Sequence, residues 1–457
     1  MGITFVEKGD RSRVRPHAKI ALVLAGGAVP GGAFRIGGLI ALNTLLTNRS
    51  VTDFDIYVGI SAGAFMAAPI AAGIGPEEML RAIDGSSERL TRLRPIDFYG
   101  PNWREAFSKP AHLAQDALSL LPTAGLALVR QLGSRFRPEL INRVRDFVAA
   151  PGYDSAEALL RPIAIDIARS SRLRPGLSYL PSGLFENSGI ERFVRENLRS
   201  NQAPNDFRLL QIERGKALYI GATNLNTSEG VVFGHDEDNT VTISEAVQAS
   251  TAIPGFYRPA RIRGQDYVDA GVRHTANVTQ AVKVGASLVV VYNPFRPFVN
   301  YSTDQLLNNK TSISDMGIGA VINQAFRTML HTRLVLGMEK LAANPDFHGD
   351  VVLLEPSESD LHFFNSNPLD FWQRAPSALH GYISATEAIE HHHDRLDGIL
   401  RSYGLRTDLD RVRERVEQIR RANYDDRTIM KVLQRDQHPL RDTATARDST
   451  VPLRVVR

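Results

Sequence analysis

The stretch DIYVGISAGAF, Asp55 to Phe65, decides how this chain is read. A short apolar run ends in a serine, with one glycine two residues before it and another two after. A strand that turns at once into a helix holds its turn residue in a strained conformation, side chain outward, where a neighbouring Cβ would clash. Gly59-Ile60-Ser61-Ala62-Gly63 has the G-x-S-x-G spacing of a nucleophile elbow. Unpaired N–H groups and the dipole at the start of the next helix suit a developing oxyanion. By itself the pentapeptide is equally a tight turn in which Ser61 caps a helix, so the rest of the chain must decide.

Upstream, Ile20 to Leu24, IALVL, reads as a buried strand that runs into AGGAVPGGAFRIGG and then a helical stretch, Leu39 to Leu46. Strand, glycine-rich turn and helix, repeated twice, imply parallel α/β architecture. Both turns then lie at the carboxyl ends of their strands, where sites form. Gly26, Gly27, Gly31 and Gly32 in the first turn let backbone N–H groups approach an oxyanion closely. The loop is not a nucleotide site, because it has neither G-x-G-x-x-G nor G-K-[ST].

Further strands are expected at Ala217–Ala222, Val231–Phe233, Leu288–Tyr292 and Val351–Leu354. Long helices are expected over Met316–Ala343 and Leu379–Leu400. Residues 86–180 read as helices broken by Pro95, Pro101, Pro110, Pro122, Pro138, Pro151 and Pro162, an inserted cap. Within it Leu113 to Leu132 is apolar, either a buried helical pair or a surface that meets lipid. The expected organisation is a basic arm (1–18), a main domain (19–400) with this cap, and a charged helical extension (401–457) that is disordered from about Gln437.

Composition narrows the chemistry. The 457 residues are 43% hydrophobic and 23% charged, ordinary for a globular protein. There is no cysteine, which excludes disulfides, thiolate metal sites and a cysteine nucleophile. His391, His392 and His393 are consecutive and cannot share one helix face, so no metal site is expected there. The N-terminus lacks the apolar core of a signal peptide. The run Ile60 to Gly75 is too short and too broken, by Pro69, to span a membrane. The expected location is cytoplasmic or peripheral to a membrane, with export without a cleaved signal left open.

Net charge is +4 and the pI about 9.2. Lys8, Arg11, Arg13, Arg15 and Lys19 outnumber Glu7 and Asp10, and Arg130, Arg135, Arg137, Arg143 and Arg145 lie close together. Most of this charge reads as solvated surface. Its functional reading is peripheral contact with anionic lipid. Nucleic acid is the weaker choice, because no basic stretch is interleaved with aromatics.

An acyl-transfer nucleophile needs a base. His235, His274 and His380 are candidates by type, but none lies in a motif. YVDAGV is the better signal: Asp269 ends a strand-like QDYV, and small residues follow. The alternative is that Asp269 caps a turn.

At this point the chain resembles the patatin-like phospholipases. The blocks that carry the resemblance are AGGAVPGGAFRIGGLIAL, GISAG, YLPSGLFENSGIERFV, GATNLNTSEG, AVQASTAIPGFYRP and YVDAGV, in that order, with NPLDFWQRAPSALHGY as a weaker echo. The resemblance implies a three-layer α/β fold with a mainly parallel central sheet. It also implies a Ser–Asp dyad of Ser61 and Asp269, oxyanion donors from the glycine-rich loop, and hydrolysis of fatty-acyl esters of phospholipids or other glycerolipids without metal or cofactor. Two other readings stand beside it: a decayed lipid-binding scaffold, and an acyltransferase using the same acyl-enzyme. The chain departs from the family's G-G-G-x-K/R-G loop. GGAVPGG is one residue longer and carries no Lys or Arg before Gly32, so the basic side chain is missing or supplied by Arg35, one helical turn on.

Overall fold

Three runs of the chain, IALVL, LVVVY and DVVLL, are apolar on both faces and lie at the centre of a parallel sheet that is covered on both sides. In the computed structural model the described residues are 2–27, 29–102, 180–301, 312–364 and 374–435, with scattered positions between 105 and 149. They contain a nine-stranded sheet. In chain order its strands are β1 (Ile3–Glu7), β2 (Ile20–Leu24), β3 (Ile56–Gly59), β4 (Ala217–Asn224), β5 (Gly230–Gly234), β6 (Ala260–Ile262), β7 (Gln265–Asp269), β8 (Leu288–Tyr292) and β9 (Asp350–Leu354). Across the sheet the order is β1-β9-β8-β2-β3-β4-β7-β6, with β5 also on β4. The pairs from β9 through β8, β2 and β3 to β4 are all parallel. The outer pairs are antiparallel. This is the mixed α/β architecture with a mainly parallel centre that the sequence implied.

Helices cover both faces. The main ones are α1 (Val29–Leu45), α2 (Ala62–Ala71), α3 (Ser188–Ser200), α4 (Ile243–Thr251), α5 (Ile318–Ala343), α6 (Arg374–His391), α7 (His393–Ser402), α8 (Leu409–Arg421) and α9 (Asp426–Leu433). Leu334, Met338 and Leu341 of α5 pack on the face presented by Val23, Val58, Val291 and Leu353. Helix α1 lies on the opposite face, so close to Tyr292 that a Cβ at Gly38 would fall 2.2 Å from its hydroxyl. Helix α6 packs on α1 with backbone touching backbone: a Cβ at Gly37 or at Gly381 would sit 1.9 Å from a carbonyl of the other helix.

Several boundaries differ from the expectation. Helix α1 starts at Val29, ten residues before Leu39, so Gly31 and Gly32 lie in its first turn rather than in a loop. The first turn tolerates both glycine and Pro30, because its N–H groups have no intrahelical partner. The stretch Leu379–Leu400 is two helices, α6 and α7, separated at His392. The N-terminal residues are not an arm: β1 pairs with β9 and buries Ile3 and Val6. Residues beyond Arg401 do not simply extend outward, since Tyr382 donates to the Val412 carbonyl (3.2 Å) and Gln434 to Asp84 (2.7 Å).

The chain forms two compact units, Met1–Gly100 with Glu186–Arg457, and Pro101–Phe185. The inserted unit therefore begins at Pro101 rather than near residue 86. Leu90, Leu93 and Phe98 are buried in the larger unit, and the Thr91 N–H donates to Asn197 (2.7 Å). In the smaller unit Asn102 donates to the carbonyl of Gly183 (3.0 Å) and Glu105 accepts from Ser182. The apolar run 113–132, Arg130, Arg135, Arg137 and Arg143, and the segment from Gln437 lie outside the described residues.

Candidate active site

Strand β4 determines what meets what. Each strand residue has one neighbour on either side. Ile220 pairs with Phe233 of β5 and with Gly59 of β3, and Ala222 pairs with Val231 of β5 and with Asp269 of β7. With β5 along one side of β4, β3 and β7 must share the other. Strand β3 runs parallel to β4 and β7 antiparallel, so their carboxyl ends meet. This register brings Ser61, two residues past Gly59, to Asp269.

Ser61 sits at φ 57° and ψ −130°, a conformation rare for a residue with a side chain. Close packing enforces it. A Cβ at Gly59 would fall 2.5 Å from the Ala64 Cα, and one at Gly63 would fall 2.1 Å from the Leu24 carbonyl oxygen. The Ser61 N–H donates to the Ser250 hydroxyl (2.8 Å), on helix α4. Ser61 begins α2 but its hydroxyl makes no capping bond, which removes the reading of an ordinary cap. The Ser61 side chain instead lies close enough to the Asp269 carboxyl to act on its pKa.

Asp269 caps a turn, as one reading of the sequence has it. Its carboxylate accepts the Gly271 N–H at 2.7 Å, closing that turn, and the Ser61 side chain lies beside it. Both side chains are nearly enclosed, Ser61 with 4% and Asp269 with 7% of its surface exposed. Burial pushes the Asp269 carboxyl up from 3.8 to about 6, against the neighbouring Ser61 side chain and the Gly271 N–H, which hold it down. The candidate histidines are engaged elsewhere: His380 with Asp360 (2.7 Å), His235 beside Tyr219 and Asp236, and His274 close to Gly230 and Arg273.

Of the glycine-rich turn, Gly26 approaches the serine: a Cβ there would stand 3.3 Å from the Ser61 Cβ and from the Phe295 ring. Gly27 packs against Arg35 and Pro294. Gly31 and Gly32 belong to the first turn of α1. The serine's own helix adds an apolar surface the sequence did not announce. Phe65, one turn past Ser61, packs on Phe98 and Phe193 with ring centres 5.6 and 5.5 Å away. Ser250 was also missed as a site residue, although AVQASTAIPG lay in one of the resembling blocks.

A family model described as patatin-like phospholipase matches residues 22–282, more than half of the chain and both residues of the pair. The chain belongs to the patatin-like phospholipase family. Within this patatin-like domain the matched segment runs from β2 to just before β8 and so contains the elbow, the glycine-rich turn and the Asp269 turn. No curated protein matches the chain. Among solved structures it is similar to VipD from Legionella pneumophila, at 15% identity and a TM-score of 0.35, covering 94% of this chain and 81% of that one. It is similar to a chain of the SpcU complex with ExoU from the type III secretion system of Pseudomonas aeruginosa, at 14% identity and 0.27, with coverage of 95% and 69%. Human GIVD cytosolic phospholipase A2, bound to methyl gamma-linolenyl fluorophosphonate, gives 11% identity and 0.30, with coverage of 86% and 59%. At these scores the structural likenesses carry no weight, and the family assignment rests on the sequence match. Among the described residues no helix is long and apolar enough to cross a membrane.

Proposed function

We propose that this patatin-like protein is a serine acyl hydrolase that cleaves fatty-acyl esters of phospholipids or other glycerolipids through Ser61 and Asp269. The observation that carries the reading is a strained, nearly buried Ser61 that the strand register brings to a carboxyl whose pKa burial raises to about 6. A carboxyl at 3.8 is too weak a base to take a serine proton at neutral pH. At about 6 it is still ionised there and is a better acceptor.

In this mechanism the Ser61 oxygen attacks the ester carbonyl as its proton passes to Asp269. The oxyanion is met by N–H groups of the Gly26–Gly27 turn, with the first-turn amides of α2 directly after Ser61. Collapse expels the alcohol, which takes the proton from Asp269, and leaves Ser61 acylated. Water, deprotonated by Asp269, then releases the fatty acid and restores the serine. Phe65, Phe98 and Phe193 offer the acyl chain an apolar wall one turn from the reacting oxygen. The net charge of +4 favours approach to an anionic lipid surface.

The test is release of free fatty acid from mixed phosphatidylcholine–phosphatidylglycerol vesicles, with and without an added alcohol acceptor. Wild type should release fatty acid, and Ser61→Ala should lose at least about 10⁴-fold. An acyl ester of the alcohol as the main product would reassign the protein as a transferase. No Ser61-dependent product from vesicles, neutral glycerides or short-chain esters would contradict the proposal.

A further inference from the structure

Helix α1 carries a charge that the fold does not need. The side chain of Arg35 is completely buried, 0% exposed. One of its nitrogens, Nη2, donates to the Gly26 carbonyl oxygen at 2.6 Å, while Nε and Nη1 have no hydrogen-bond partner among the described residues. Among the described residues no carboxylate pairs with it. Burial lowers its pKa to about 10, with Tyr292 the one opposing neighbour. A guanidinium enclosed with two nitrogens unpaired destabilises a fold, and an apolar side chain of similar volume would serve packing better.

Its one bond falls on the turn beside Ser61. The Gly26 carbonyl and the Gly27 N–H belong to one trans peptide unit and point in opposite directions. Fixing the carbonyl therefore fixes the N–H. Among the described residues, neither the Gly26 nor the Gly27 N–H has a hydrogen-bond partner, inside a turn that is itself buried. Unpaired donors in a buried loop beside a nucleophile are what an oxyanion requires. Gly27 also leaves no slack, since a Cβ there would stand 2.4 Å from Arg35 Nη2 and 2.9 Å from Pro294.

Resting on the hydrolase reading above, we propose that Arg35 is a positioning residue: it locks the Gly26–Gly27 peptide so that the Gly27 N–H is presented to the oxyanion at Ser61. The guanidinium touches neither substrate nor reacting atoms. It acts through the carbonyl it holds, and it comes from the second turn of α1 rather than from the loop.

The test is steady-state hydrolysis of a soluble p-nitrophenyl ester by wild type, Arg35→Met, Arg35→Lys, Gly27→Ala and the Gly27→Ala/Arg35→Met double variant, with melting curves for each. Loss of one oriented donor predicts that Arg35→Met lowers kcat by about 10²-fold with KM within about twofold. Arg35→Lys should recover part of that loss, because an ammonium can still donate to the Gly26 carbonyl. Gly27→Ala displaces the guanidinium without removing its charge and should show the same kcat-selective loss. In the double variant the two losses should not add, because both act on one peptide. If Arg35→Met does not fold, Gly27→Ala and Arg35→Lys decide. The proposal is overturned if kcat is unchanged, if the loss lies in KM, or if activity follows only the folded fraction. A wild type without Ser61-dependent turnover would instead overturn the hydrolase reading, and this proposal with it.

Discussion

Asp269 holds its proton more tightly in the fold than in the unfolded chain, and that has a stability consequence as well as a catalytic one. Its carboxyl moves from 3.8 to about 6 on folding because it is buried. The folded state therefore binds more protons than the unfolded state between those values. The stabilisation is complete below about pH 4 and is lost as pH rises through 6. The move corresponds to roughly 3 kcal/mol that wild type gives up by pH 7. Asp269→Asn, which cannot ionise, should escape the loss. Its melting temperature should gain on wild type between pH 4 and pH 7.5, while its activity disappears. A difference between the two proteins that stays constant with pH would show that Asp269 is not buried as an acid. The sequence marked this residue through its strand end and small neighbours, but burial, and with it the pKa, depends on strands that come together only in the fold.

At the scale of elements, the elbow is held from three directions. Gly59 and Gly63 bring α2 hard against β2 and β3, and α4 supplies the Ser250 hydroxyl to the Ser61 N–H. Removing that hydroxyl leaves a buried N–H unpaired, which costs about 1–3 kcal/mol. Ser250→Ala should lose that much in urea denaturation. A change below about 0.5 kcal/mol would mean that the elbow does not depend on α4. The G-x-S-x-G spacing was legible because it reflects local sterics, whereas Ser250 lies 189 positions away and no local pattern points to it. The start of α1 was misplaced for a related reason: glycine and proline look like helix breakers in sequence but are tolerated in a first turn.

For the whole molecule, the parallel centre of the sheet could be read directly, because strands buried on both faces are written as unbroken apolar runs. The edges could not. ITFVE in β1 mixes apolar with polar residues and reads as part of a charged arm. It becomes an edge strand because β9 offers a partner and Asp350 accepts the N–H groups of Lys8 and Gly9, each at 2.9 Å. The C-terminal helices looked like an extension because α8 is strongly charged, yet Val412 and Ile419 are buried on its inner side. Amphipathic helices with a narrow apolar stripe give little sign in sequence of whether they pack or project.

The central claim is that Ser61 is a nucleophile activated by Asp269. A fluorophosphonate probe tests it most directly, with the adduct located by mass spectrometry and its rate followed from pH 4.5 to 8 in wild type, Ser61→Ala and Asp269→Asn. The account predicts one adduct, at Ser61, with a rate that climbs through about pH 6 and levels off. Both variants should remain unlabelled while folded. An adduct elsewhere, or undiminished labelling of Ser61 in Asp269→Asn, would contradict it.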